Sequence, residues 1–272
     1  MGDPPRPRVR ASRPFTHTGV DYAGPILLRT TKGRGQKAHK GFLVIFVCLS
    51  TRAVHLEVAS DYTAEAFIAA YKRFRFNPLS APHFGGIWEA AVKSTKHHLR
   101  RVIGNATLTY EELSTFLAQV EACLNSRPLS PLSDDSEDLA ALTPGHFLIG
   151  AAISAVPEPS LVEEPTDRLS RWQLLQQLRD NFWKRWSSEY LQALNSRQKW
   201  RTKDDNPRVG DLCSVRGEQT APTKWPLARV TAIHPGEDEQ VRVVTIRNAI
   251  TTLKRPMMKI ILLPRVGDPE DI

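Results

Sequence analysis

Apolar positions along this chain fall into short runs in its first third. Gly19–Leu28 is apolar apart from one acid, Asp21; Gly41–Leu49 is apolar throughout; Ala53–Val58 alternates. The glycine- and charge-rich stretch Lys32–Lys37 separates the first two. Short apolar runs joined by tight turns predict three antiparallel strands. Asp61-Tyr62-Thr63 supplies a helix start, so Ala64–Phe74 reads as helix. Nothing at Arg75-Phe76-Asn77-Pro78 supplies the usual stop for it. Beyond Pro78, Pro82 and Gly85-Gly86, a second helix is predicted over Ile87–Ile103, closed by Gly104-Asn105. The spacing Thr109-x-x-Glu112 is a capping box that opens a third helix to about Asn125.

The pattern then changes. Residues 127–167 are rich in Pro, Ser, Asp and Glu and read as an acidic linker, with Thr143–Gly150 apolar enough to dock on something. Residues 168–205 hold a long amphipathic helix: Leu175, Leu178, Phe182, Trp186, Tyr190 and Leu194 recur at three- and four-residue steps and mark one apolar face. Short strands return over 206–264, at Asp211–Val215, Leu227–His234, Val241–Ile246 and Thr251–Lys254, with the spacing of a small barrel. A flexible basic arm (1–14) and a tail (265–272) flank a first domain at 15–126 and this later region.

Composition sets limits. Among 272 residues, 41% are hydrophobic, enough for a real core and against global disorder. No run of apolar residues is long enough to span a membrane, and the first residues lack an apolar signal core. Cys48, Cys123 and Cys213 are far apart without a Cys-x-x-Cys pair, so they read as reduced core thiols. The net charge of +8 is unevenly spread: residues 1–104 carry 17 basic and 6 acidic side chains, residues 105–167 carry 1 and 11, and residues 168–272 carry 19 and 12. Basic segments of this kind bind a polyanion by releasing its counterions; ordinary solvated surface gives the same totals.

Asp21 sits within an apolar strand, where an acid must be paired, hydrogen-bonded, metal-bound or at a solvated strand end. Glu89 stands in the first turn of the second predicted helix, where the helix dipole also favours an acid. Lys93, Lys96 and Arg100 follow it at helical spacing on one face. An acid followed by a basic ladder fits a cation site beside a phosphate groove, and equally a solvated helix face. His97 and His98 adjoin the ladder but point apart, which suits phosphate or surface contacts rather than a shared metal.

The strings FTHTGVDYAGP (Phe15–Pro25), STRAVHLEVASDYTAEAF (Ser50–Phe67) and APHFGGIWEAAVKSTKHHLRRVIG (Ala81–Gly104) resemble the integrase of BEL/Pao-type LTR retrotransposons. RLSRWQLLQQLRDNFWKRW (Arg168–Trp186), VGDL (Val209–Leu212), KWPLARV (Lys224–Val230) and KRPMMKIILLP (Lys254–Pro264) resemble the C-terminal region of the same polyprotein. The resemblance implies an α/β RNase H-like core, here truncated, followed by a helical linker and a small all-β SH3-like barrel. It further implies DNA integration with Mg²⁺, transposon and target DNA as partners, a homo-oligomer and a nuclear location. Three acids hold two metal ions in that family, because hard cations want oxygen ligands and two metals clamp the attacking and leaving oxygens.

By resemblance, Asp21 matches the first acid and Glu89 the third, both as metal ligands and catalytic groups. Lys93 and Lys96 match the helix-face lysines expected to grip a DNA end, and Arg100 and His97 extend that nucleic-acid-binding face. The second acid has no match: its strand, its turn and the following helical region are missing between Phe74 and Arg75, which also explains the absent helix stop. The zinc-binding portion of two His and two Cys is missing too; His17, His39 and His55 are scattered among predicted strands. The sequence reading is therefore a DNA-binding protein with impaired catalysis. Its alternatives are an active Mg²⁺-dependent strand transferase completed by Asp61 or a partner chain, and a non-catalytic interaction module. Either Arg75–Asn77 replaces the lost strand beside Gly19–Leu28, or that strand keeps an unpaired edge.

Overall fold

A computed structural model of the chain describes residues 12–31, 37–76, 87–156, 158–198, 206–217 and 220–265, with the backbone alone at 75–76, 87–91 and 195–198. Strands β1 (Thr18–Arg29), β2 (Ala38–Cys48) and β3 (Val54–Ala59) form an antiparallel meander, with Thr18 opposite Cys48 and Phe42 opposite Ala59. A two-residue strand, β4 (Leu108–Thr109), joins parallel to β1 at Leu28 and Arg29, giving the order β3-β2-β1-β4. Helices α1 (Ala64–Phe76), α2 (Ile87–Ile103) and α3 (Tyr110–Asn125) accompany this sheet. Arg75 and Phe76 belong to α1, and Asn77 lies outside the described residues.

The unbroken apolar run in β2 has a physical cause. Leu43, Ile45 and Val47 pack on one face with Leu99 of α2 and Leu117 of α3. Val44, Phe46 and Cys48 pack on the other with Ala70 and Phe74 of α1. Phe46 and Phe74 stack with ring centroids 4.2 Å apart. A strand covered on both faces has no solvated side to mark with polar residues.

The far edge of this sheet, β3, is closed by side chains. Asn125 of α3 bonds Val54 twice, accepting from its N–H at 2.8 Å and donating to its carbonyl at 2.7 Å. Glu121 accepts from the Leu56 N–H at 3.1 Å, and Arg73 donates to the Val58 carbonyl at 2.7 Å. Along β1 the backbone bulges between Ala23 and Ile26. Gly24 there has φ of 146°, and a Cβ would lie 2.9 Å from the Phe42 ring, so only glycine fits.

The second half holds β5 (Ser130–Pro131) paired with β6 (Ala141–Leu142), α4 (Pro144–Ile149) and the long helix α5 (Arg171–Gln198). Five strands follow: β7 (Leu212–Val215), β8 (Leu227–Pro235), β9 (Val241–Arg247), β10 (Thr252–Pro256) and β11 (Ile260–Leu262). They form one antiparallel sheet in the order β10-β9-β8-β7-β11 over a core of Cys213, Val230, Val244, Ile246 and Ile260. Leu175, Leu178, Phe182 and Trp186 of α5 bury into the core of the first sheet, and Leu194 into a cluster with Leu212 and Ile261. Arg229 of β8 reaches into the acidic segment, donating to the carbonyls of Ser133 at 2.8 Å and Asp138 at 2.7 Å. Among the described residues no helix is long and apolar enough to cross a membrane. The three cysteines are buried and unbridged, and burial pushes the thiols of Cys123 and Cys213 up to about 12.

Candidate nucleic-acid interface

Helix α2 has a buried stripe of Val92, Thr95, Leu99 and Ile103 at steps of three and four residues. That stripe fixes its rotation and turns the neighbouring positions 93, 96, 97 and 100 toward β1. A contact on its back reinforces this: Glu189 of α5 accepts from Ser94 Oγ at 2.6 Å and meets His98 Nε2 at 2.7 Å. The Ser94 bond and the adjacent His98 hold the Glu189 carboxyl below its ordinary range. His98 is buried against Phe182, with ring centroids 6.2 Å apart. Arg100 and Arg101 occupy the last turn of α2, where the helix dipole favours cations.

Asp21 projects from β1 to meet this face. Its Oδ2 lies 2.5 Å from Lys96 Nζ, and its Oδ1 accepts the Tyr22 N–H at 2.7 Å. Asp21, Lys93, Lys96, His97 and Arg100 line a cavity of about 330 Å³. One carboxylate thus stands among three fixed cations and an imidazole, and a lysine has already neutralised it. Three cations against one carboxylate leave the cavity with an excess of positive charge.

Five sequence-predicted residues therefore come together: Asp21, Lys93, Lys96, His97 and Arg100. Glu89 lies in α2, but its side chain is outside the described residues. Asp61 is elsewhere. It accepts from the Thr63 N–H at 2.9 Å and from Ser60 Oγ at 3.3 Å, and these turn contacts, Thr63's first, lower its pKa. Its neighbour Tyr62 packs on Tyr22 with centroids 5.2 Å apart. Tyr22 and Asp21 alternate along β1, so the Asp61 turn lies across the sheet from the Asp21 cavity.

A magnesium pair needs several clustered oxygens. Both Asp21 oxygens are engaged, and the other described side chains of the cavity are cationic or imidazole. Among the described residues no group of three His, Cys, Asp or Glu is arranged to hold a metal. The described side chains of the cavity supply one carboxylate, that of Asp21, and the Glu89 side chain lies outside the described residues.

Sequence reasoning missed two relationships. Glu189 bonds α2 from far along the chain, and no local pattern signals it. His55 is held between carboxylates, Nδ1 against Glu121 and Nε2 3.1 Å from Glu57. Burial lowers the His55 pKa, but these hydrogen bonds outweigh it and raise it to about 9.

Trp225 anchors structure. Its ring meets Trp183 at 4.8 Å, Tyr190 at 5.6 Å and Trp186 at 6.0 Å, and its Nε1 donates to Ser126 Oγ at 3.1 Å.

Residues 170–263, from the start of α5 through β11, match a family of unknown function, DUF5641. No curated protein matches the chain. The matched segment supplies Glu189, which bonds Ser94 and His98 of α2.

Proposed function

We propose that this chain is a nucleic-acid-binding protein of the BEL/Pao integrase type that holds DNA by its phosphates and is impaired in strand transfer. The observation that carries the reading is the Asp21 cavity, in which Lys93, Lys96, His97 and Arg100 surround one carboxylate already paired with Lys96. Phosphate contacts of this sort position a duplex without reading its sequence. An RNase H-like core, shortened by a strand, is supported by the β3-β2-β1-β4 order with β4 parallel to β1. An SH3-like barrel is the reading of the five-stranded sheet β7–β11. Strand transfer needs a clustered set of carboxylates, and the side chains described around Asp21 do not supply one.

The test is duplex binding by the full chain over a salt series, run beside a Mg²⁺-dependent end-joining assay. The reading expects affinity to fall linearly on a log–log plot as salt rises, and no joined product. Absence of binding at low salt, or clear joined product, sinks it.

A further inference from the structure

On the five-stranded sheet, Arg229 of β8 stands directly opposite Arg247 of β9. Val230 and Ile246, the next pair along, turn the other way into the core. Lys254 of β10 pairs with Thr245, which follows Arg247 on the same outer face. Like charges directly opposite on neighbouring strands repel, so this row needs acceptors over it. The acidic segment supplies them. β5 and β6 form a hairpin, continued by the Leu132 N–H on the Ala140 carbonyl at 3.0 Å, and its tip carries Asp134, Asp135, Glu137 and Asp138. Ser133 Oγ donates to Asp138 Oδ2 at 2.7 Å and the Glu137 N–H to Asp135 Oδ1 at 2.9 Å, which fixes the tip.

The two arginines hold the tip differently. Arg229 is buried and donates to the carbonyls of Ser133, Asp138 and Gly210, so its bonds open only if the hairpin moves. Arg247 donates to Glu137 Oε2 at 2.5 Å and reaches the Ser136 carbonyl at 3.4 Å. Glu137 is exposed. A carboxylate that water reaches can give way to another anion while the hairpin stays in place.

We propose that the hairpin tip is an internal stand-in for phosphate: Glu137 occupies Arg247 and holds nucleic acid back from the outer face of this sheet. The inference rests on the reading of the chain as a nucleic-acid binder, and it concerns different residues from those of the Asp21 cavity. A guanidinium offers phosphate oxygens the same fork that it offers a carboxylate. When a phosphate displaces Glu137, the carboxylate turns out to solvent and Arg247 joins the contact with Lys254 near it. The tip therefore lowers affinity for any duplex without choosing between sequences.

The experiment measures duplex affinity of the full chain by fluorescence anisotropy over a salt series. Glu137→Gln should raise affinity about five-fold at low salt and steepen the log–log salt slope by about one, the mark of one added phosphate contact. Asp134→Asn removes the same charge from the same exposed tip and should raise affinity less than about two-fold, with the slope unchanged. Adding Glu137→Gln to Arg247→Ala should bring no gain over Arg247→Ala alone, because the two changes act through one contact. Circular dichroism checks that each variant is folded. A wild type that binds duplex, with no gain from Glu137→Gln, overturns the inference and leaves the proposed function standing. Equal gains from Glu137→Gln and Asp134→Asn, or a gain that persists without Arg247, also overturn it. Absence of binding by every form sinks the inference and the proposed function together.

Discussion

Lys96 Nζ lies 2.5 Å from Asp21 Oδ2, so an ammonium occupies the carboxylate that an integrase-like site would offer to metal. The contact ties α2 to β1 and leaves Lys93, His97 and Arg100 as the remaining polar wall of the cavity. Lys93→Ala with Lys96→Ala is expected to weaken binding to unrelated duplexes by a similar factor, about ten-fold at low salt, and to lower the salt slope by about two. Fluorescence anisotropy over a salt series on two unrelated sequences measures this. Unchanged low-salt affinity would remove α2 as the contact face.

A second expectation concerns pH. His55 is held by Glu57 and Glu121, with Arg73 also on Glu57 at 2.8 Å and the rings of Phe46 and Phe74 beside it. Its pKa rises from 6.5 to about 9 in the folded protein. A raised histidine stabilises fully below its unfolded value and loses that contribution as pH rises through the folded one. Thermal stability should therefore fall between pH 6.5 and about 9.5, by at most about 3 kcal/mol. Hydrogen bonds from His55 and Arg73 outweigh burial at Glu57 and lower its pKa, so its own contribution is lost on acidification instead. Melting curves of the wild type and His55→Phe across this range decide it: the variant should lose the alkaline decline.

Trp225 separates an anchor from a base-stacking platform. It packs among Trp183, Trp186 and Tyr190 and bonds Ser126, joining α3, α5 and the segment before β8. Trp225→Ala should destabilise the protein by about 2–4 kcal/mol and leave the duplex affinity of the folded variant unchanged. Chemical denaturation and anisotropy together measure both; a loss of affinity without a loss of stability would assign the ring to the nucleic acid.

Local signals in the sequence carried far. The capping box predicted at Thr109 and Glu112 is formed in both directions, at 3.2 and 2.9 Å. The boundaries of α2 follow from an apolar stripe closed by Gly104, and the β2 run was readable as a strand without needing its two faces. What escaped was non-local or too short to have a period. β4, β5 and β6 are two residues each, and β11 is three. The helical ladder put Lys93, Lys96 and Arg100 on one face, but no pattern within α2 or β1 says that Lys96 would close on Asp21. The Glu189 bonds to Ser94 and His98 and the Glu121 bond to His55 likewise depend on packing between distant segments.

The most direct measurement is duplex affinity of Asp21→Asn beside the wild type at low salt, with and without Mg²⁺. If the cavity is a phosphate site, removing its one carboxylate should tighten binding by about three-fold, and Mg²⁺ should weaken both proteins as a competing counterion. Weaker binding by the variant, or Mg²⁺ tightening the wild type alone, would contradict it and return Asp21 to the role of a metal ligand.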